Sequence, residues 1–167
     1  MNPMLELDRI SKSFGGLKAV DCVGFRIEPG EIFGLLGPNG AGKTVCFNLI
    51  SGVFSPSEGR IFFDGMRTDG LPSHRMAKLG LGRTFQIVKP FSNVSVLENV
   101  VAALGIQRYD RLTGIWSNRN EHSTRTKAME LLEQVGLSGI AHRKAGLLPL
   151  GNLRRLEIAR ALAVGTK

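Results

Sequence analysis

The chain has 167 residues and a formal net charge of +8, from 22 lysines and arginines set against 14 aspartates and glutamates. Hydrophobic residues make up 43% and charged residues 22%, the balance of an ordinary globular domain with a real core. No apolar run approaches the ~18–20 residues that span a bilayer, and residues 1–6 lack the basic-then-apolar order of a signal peptide. A cytosolic chain with no direct transmembrane segment is therefore expected.

Cys22 and Cys46 are the only cysteines, without CxxC spacing, and His74, His122 and His142 lie far apart. Reduced, buried cysteines are expected rather than a disulfide or zinc site. The basic residues are dispersed and do not interleave with aromatics, so the charge does not point to nucleic acid.

In chain order, Leu5 and Leu7, then Phe25 and Ile27, alternate with polar residues and predict half-buried strands. Phe14, Gly15 and Gly16 predict a turn between them, and residues 28–31 another. The apolar residues 32–36 suit a strand buried on both faces. A glycine-rich loop follows, then a helix from Lys43 to Ile50 that stops near Gly52. A turn at 55–59 precedes a strand at 60–63, which Asp64 and Gly65 close. Residues 79–85 predict a further strand. Ser95 and Glu98 have capping-box spacing for a helix to Leu104. Residues 108–121 read as a loop. Ala128, Leu131, Leu132 and Val135 predict a helix over 122–135 that Gly136 ends, and a last helix runs from Asn152 to Val164.

The chemistry concentrates at Gly37, Pro38, Asn39, Gly40, Ala41, Gly42, Lys43 and Thr44, a full match to the phosphate-loop pattern GxxxxGK[ST] between a predicted strand and a helix. Glycines allow positive φ, so that successive N–H groups point inward and cradle phosphate oxygens. The helix start, including Val45, adds free N–H groups and a positive dipole end. Lys43 supplies a cation for the β- and γ-phosphates of ATP, and the Thr44 hydroxyl a ligand for Mg²⁺. A glycine-rich turn that binds nothing is the bland alternative, and it leaves Lys43 and Thr44 without a purpose.

Residues 36–44 resemble the phosphate loop of ATP-binding cassette (ABC) proteins, and the resemblance runs along essentially the whole chain. It implies an α/β P-loop NTPase core with an N-terminal antiparallel β-subdomain and a helical subdomain. The implied division is 1–86 for the ATP-binding core, 87–150 for the helical subdomain and 151–167 for the signature helix. Phe14 matches the aromatic that stacks on adenine in the family. Gln86, after Thr84 and Phe85, matches the glutamine that reaches Mg²⁺ and the attacking water. Pro149, Leu150, Gly151 and Asn152 match the signature that closes over the ATP of a partner subunit. Pro149 stands where serine is usual and Leu150 where the first glycine is usual, which shifts anion contact to the Gly151 and Asn152 N–H groups.

Residues 83–86, 96–100, 112–116 and 154–160 together are similar to the ATP-binding subunits of branched-chain amino acid importers. That branch implies a homodimer or heterodimer of ABC subunits, membrane permease partners that dock near residues 87–144, and a peripheral place at the inner face of the membrane. In the family a buried strand ending in aspartate and glutamate follows the signature helix. No apolar run ending in that pair occurs in these residues, so the C-terminal part of the core is expected to be missing and hydrolysis by this chain alone to be poor. Two other readings fit the residues less well. A soluble ABC protein acting on ribosomes or nucleic acid needs a second cassette or nucleic-acid elements. A phosphate-loop kinase leaves the signature helix without a purpose.

Overall fold

The computed structural model describes residues 3–84, 90–105 and 118–165, with side chains of the last stretch from His122 onward. It divides into two compact units, Met1–Met76 and Ala77–Lys167.

The first unit is built on a four-stranded antiparallel sheet of order β2-β1-β3-β4, formed by β1 (Leu5–Phe14), β2 (Leu17–Ile27), β3 (Glu58–Phe63) and β4 (Met66–Arg67). In β1 the alternation is read directly as faces: Leu5 and Leu7 are buried and pair with Ile27 and Phe25 on one side and with Phe63 and Ile61 on the other. The pairing slips between Leu7 and Ile10, at Arg9 with φ 48°. Gly59 faces this bulge, where an added Cβ would run into the carbonyl oxygens of Asp8 and Arg9, so only glycine lets β3 approach. Asp64 and Gly65, at φ 50° and 74°, form the tight turn between β3 and β4, as two-residue hairpins favour. Beyond it the Arg67 guanidinium grips the Asp69 carboxylate through two nitrogens at 2.9 Å. Asp69 in turn accepts the Ile61 N–H at 3.3 Å. Helix α1 (Lys43–Ile50) buries Cys46, Leu49 and Ile50, and α2 (Ser73–Lys78) buries Met76.

Four sequence expectations are corrected. Residues 32–36 form no strand, and Ile32 and Leu36 are 99% and 91% exposed. A strand buried on two faces needs a neighbour on each side, and no described strand pairs with this run. Phe33 is stacked on Phe25 at 4.7 Å, and Leu35 is half-buried. Residues 79–84 are likewise not a strand, because α2 occupies the chain to Lys78 and Gly80 turns at φ 96°. Cys22 is exposed rather than buried, since β2 carries it at φ 49° on an irregular stretch. Residues 118–121, read as loop, open a helix.

The second unit packs α3 (Val96–Gly105), α4 (Asn118–Gln134) and α5 (Leu150–Ala163) around Val96, Val100, Ala128, Leu132, Leu156 and Ala159. The capping box forms: the Ser95 hydroxyl accepts the Glu98 N–H at 3.1 Å, and the Glu98 carboxylate accepts the Ser95 N–H at 2.9 Å. Gly136, at φ 69°, ends α4. Asn99 is fully buried on the apolar face of α3. Its carbonyl accepts the Phe91 N–H at 2.9 Å, and its amide donates to the carbonyls of Phe91 and Ser95 at 3.1 and 2.9 Å.

Asn99→Ala would strip the Phe91 N–H of its acceptor and leave the Phe91 carbonyl only the Val94 N–H, and is expected to cost about 2 kcal/mol in denaturant unfolding. A loss below about 0.5 kcal/mol contradicts that role for the amide. Asp69 gives a pH signature. Arg67 holds its carboxyl below the usual carboxylate range. Its contribution is therefore present above the unfolded-state pKa and is lost as pH falls through the lowered folded-state pKa. Asp69→Asn is expected to cost about 1 kcal/mol near neutral pH, the difference from the parent chain shrinking below pH ~4. A pH-independent difference would contradict the assignment.

Candidate functional site

The phosphate loop of the first unit is shaped by its glycines. Gly40 and Gly42 lie at φ 85° and 80°, in the left-handed region that glycine adopts without strain. Asn39 and Gly40 form the tip of a turn closed by the Ala41 N–H on the Pro38 carbonyl at 3.2 Å. Gly37 faces back across the loop, where a Cβ would lie 3.2 Å from Ala41 Cβ and 4.0 Å from Lys43 Cδ. Gly42 is the N-cap of α1 and abuts β2: a Cβ there would strike the Ala19 carbonyl oxygen and lie 3.3 Å from Val20 Cγ2.

The helix begins with Lys43, Thr44 and Val45, and the Cys46 N–H makes a helical bond to the Gly42 carbonyl at 2.8 Å. The first-turn N–H groups of a helix have no acceptor within it and carry its positive end. No acidic side chain stands in that turn to neutralise it. Lys43 folds over the loop, its Nζ donating to the carbonyls of Gly37 and Pro38 at 2.6 and 2.7 Å. An ammonium has three donors, so one is left for another acceptor. Thr44 is exposed, with a hard oxygen suited to Mg²⁺ at the helix start. The residues present therefore fit a phosphate chain with its cation.

Phe14 ends β1 at the Gly15–Gly16 turn, 42% exposed. Its ring meets Phe54 edge-on at 5.2 Å, and Lys12 Nζ lies over it at 5.3 Å. Phe54 thus supports the ring and the Lys12 ammonium lies over one face, while much of Phe14 stays accessible. Gln86 lies outside the described residues. An open groove of about 450 Å³ elsewhere on this unit is lined by Asp8, Arg9, Cys22, Glu58 and Arg60 among others, and by no phosphate-loop residue. Three of its charged residues pair with one another, Asp8 with Arg9 at 3.3 Å and with Arg60 at 3.8 Å.

In the second unit Pro149 caps α5 with extended backbone, φ −59° and ψ 152°, and its carbonyl accepts the N–H groups of Asn152 and Leu153, both at 3.0 Å. The helix thus starts two residues earlier than the sequence suggests, and the Asn152 N–H is engaged. The Leu150 and Gly151 N–H groups are left at the helix mouth without a helical acceptor. Gly151 has open space where a Cβ would sit, and Leu147 and Leu150 are exposed. What sequence reading missed here is the support behind this turn. The segment 91–95 bonds to Ala145 and Gly146 just ahead of it, and Asn99 holds that segment; its signal was a polar residue inside the apolar stripe of Val96, Val100 and Ala103.

The family profile described as ABC transporter matches residues 20–167. The chain belongs to the ABC transporter family. It is 39% identical to the high-affinity branched-chain amino acid transport ATP-binding protein BraF of Pseudomonas aeruginosa, over 96% of this chain and 65% of that protein. The ABC chain thus spans about two thirds of the length of that relative. Among solved structures, MJ1267, an ATP-binding cassette of an ABC transporter, matches all of this chain and 67% of its own with a TM-score of 0.82 at 30% identity. The dimeric post-hydrolysis structure of the ATP-binding cassette MJ0796, bound to ADP and Pi, matches 98% of this chain and 71% of its own with a TM-score of 0.79 at 28% identity.

Gly42→Ala is expected to cost about 2 kcal/mol or more, from the left-handed backbone and the clash with the Ala19 carbonyl. Gly40→Ala, with open space at its Cβ, pays only the backbone cost and is expected to be milder. Chemical denaturation of the two variants checks the order; equal losses contradict the account of Gly42.

Proposed function

We propose that this chain is the ATP-binding portion of an importer's energy-coupling subunit, which binds MgATP at residues 37–45 and passes the energy of its hydrolysis to membrane permease partners. The observation that carries the reading is Lys43, clamped over a left-handed glycine loop at the bare N-terminus of α1. A loop so arranged offers backbone N–H groups, a helix end and a cation to one polyanion.

Each residue then has a task. The N–H groups of Gly40, Gly42, Lys43, Thr44 and Val45 hold phosphate oxygens, with Pro38, Asn39 and Ala41 shaping the turn. Lys43 turns its remaining donor to the β- and γ-phosphates. Thr44 and Gln86 hold Mg²⁺, which when bound neutralises charge on the phosphates. Gln86 also orients the attacking water. Phe14 receives the adenine on its open face. Residues 149–152 face the ATP of a second ABC subunit, identical or not, through the N–H groups left at the start of α5.

The solute is a branched-chain or similar amino acid, a reading supported by the identity to BraF. Among the described residues no helix is long and apolar enough to cross a membrane, so contact with the bilayer would run through permeases, received on the helical region 87–144 at the inner face. Residues 1–86, 87–150 and 151–167 are the functional division that goes with this reading.

The 167 residues hold no apolar run ending in Asp-Glu to polarise the attacking water, so this polypeptide is expected to bind MgATP and turn it over slowly. Titration with a fluorescent ATP analogue checks it. Lys43→Ala is expected to weaken binding at least tenfold, and Thr44→Ala to remove most of its Mg²⁺ dependence. Binding unchanged by Lys43→Ala would overturn the site. Steady turnover by the parent chain would overturn the expectation of slow hydrolysis.

A further inference from the structure

The 3₁₀ turn Ala145–Leu147, just ahead of α5, is held by one short segment, residues 91–95, and three kinds of contact converge on that segment. The Gly146 N–H donates to the Ser92 carbonyl and the Ala145 N–H to the Val94 carbonyl, both at 3.0 Å. The fit is close enough that a Cβ on Gly146 would come within 2.9 Å of Ser92 Cβ. Asn99, fully buried, grips the N–H and the carbonyl of Phe91 together. From the far side, the Arg160 guanidinium of α5 lies over the Phe91 ring at 5.1 Å.

Phe91 is 54% exposed, so core packing does not explain where its ring sits. Its backbone is fixed by a buried amide, and its face is given to a cation in the last turn of α5. Burial lowers the Arg160 pKa, as expected for a guanidinium drawn off bulk water. A cation over a ring face at this distance is attracted by the ring quadrupole, more strongly when partly desolvated.

We propose that Phe91 and Arg160 are positioning residues for the signature turn: their stack, with Asn99 behind it, fixes the direction of α5 and so aims the Leu150 and Gly151 N–H groups at a nucleotide held by a second subunit. The Gly146–Ser92 contact holds the approach to α5 and the Arg160–Phe91 contact its last turn, so the segment 91–95 braces the helix from both ends. The proposal rests on the ATP-binding reading above, and concerns the closing of two subunits rather than binding by one.

The test uses the 167-residue chain and two readouts, affinity for a fluorescent ATP analogue and MgATP-dependent self-association by sedimentation velocity. Phe91→Leu and Arg160→Ala are each expected to weaken self-association about tenfold, with nucleotide affinity within twofold of the parent and melting little changed. The double variant is expected to be no weaker than either single one, and Phe91→Tyr, which keeps a ring face, to behave as the parent. Additive losses, Phe91→Leu matching Phe91→Tyr, or nucleotide affinity falling in parallel would overturn the proposal. A parent chain that binds nucleotide yet stays monomeric overturns it too, whereas one that binds no nucleotide sinks the underlying reading first.

Discussion

The first unit turns on the contact between Gly42 and the backbone of β2. The N-terminus of α1 is butted against Ala19 and Val20 with no room for a side chain, and the residue that makes the junction sits in the left-handed region. Once that junction is set, the direction of α1 is set, and with it the direction in which its bare N–H groups point. Gly40 and the Pro38–Ala41 turn then complete a concave backbone, and Lys43 closes it from within. The sheet that supplies β2 therefore shapes the loop through its contact at Ala19 and Val20. Losing the junction would leave the same residues in the same order without a common focus.

The second unit solves a similar problem differently. Its helix mouth lacks the glycine-rich approach of the first: Pro149 stands at the cap and Leu150 beside it. Proline fixes the entry angle and gives up a donor that would have no helical partner in any case. Aim must then come from behind the turn, which is where Gly146, Ser92 and Phe91 are found. Both units thus place free N–H groups at a helix start, one by the shape of the loop and the other by bracing.

Local features were legible in the sequence because their causes are local. The helix after the phosphate loop begins at Lys43 and ends at Ile50 as read, since glycine precedes it and Gly52 follows. The Ser95–Glu98 box and the Gly136 stop were equally plain, each being a matter of three or four neighbouring residues. Residues 32–36 misled for the opposite reason. Their composition suits a buried strand, but a strand is made by its neighbours, and none of the described strands lies alongside. The bulge at Arg9 and the glycine that accommodates it at Gly59 are 50 positions apart and carry no short-range signal. Of the candidate site, the phosphate-loop residues are brought together on one loop, Phe14 stays exposed, and the 149–152 turn is bonded somewhat differently from its sequence reading.

The central claim is that the backbone of residues 37–45 receives the phosphates of ATP. Amide NMR during titration of the chain with MgATP, and separately with adenosine, tests it most directly. The account expects MgATP to shift and protect the amides of Gly40, Gly42, Lys43, Thr44 and Val45, with adenosine leaving them nearly unmoved. Saturable MgATP binding that leaves those five amides unchanged would contradict it.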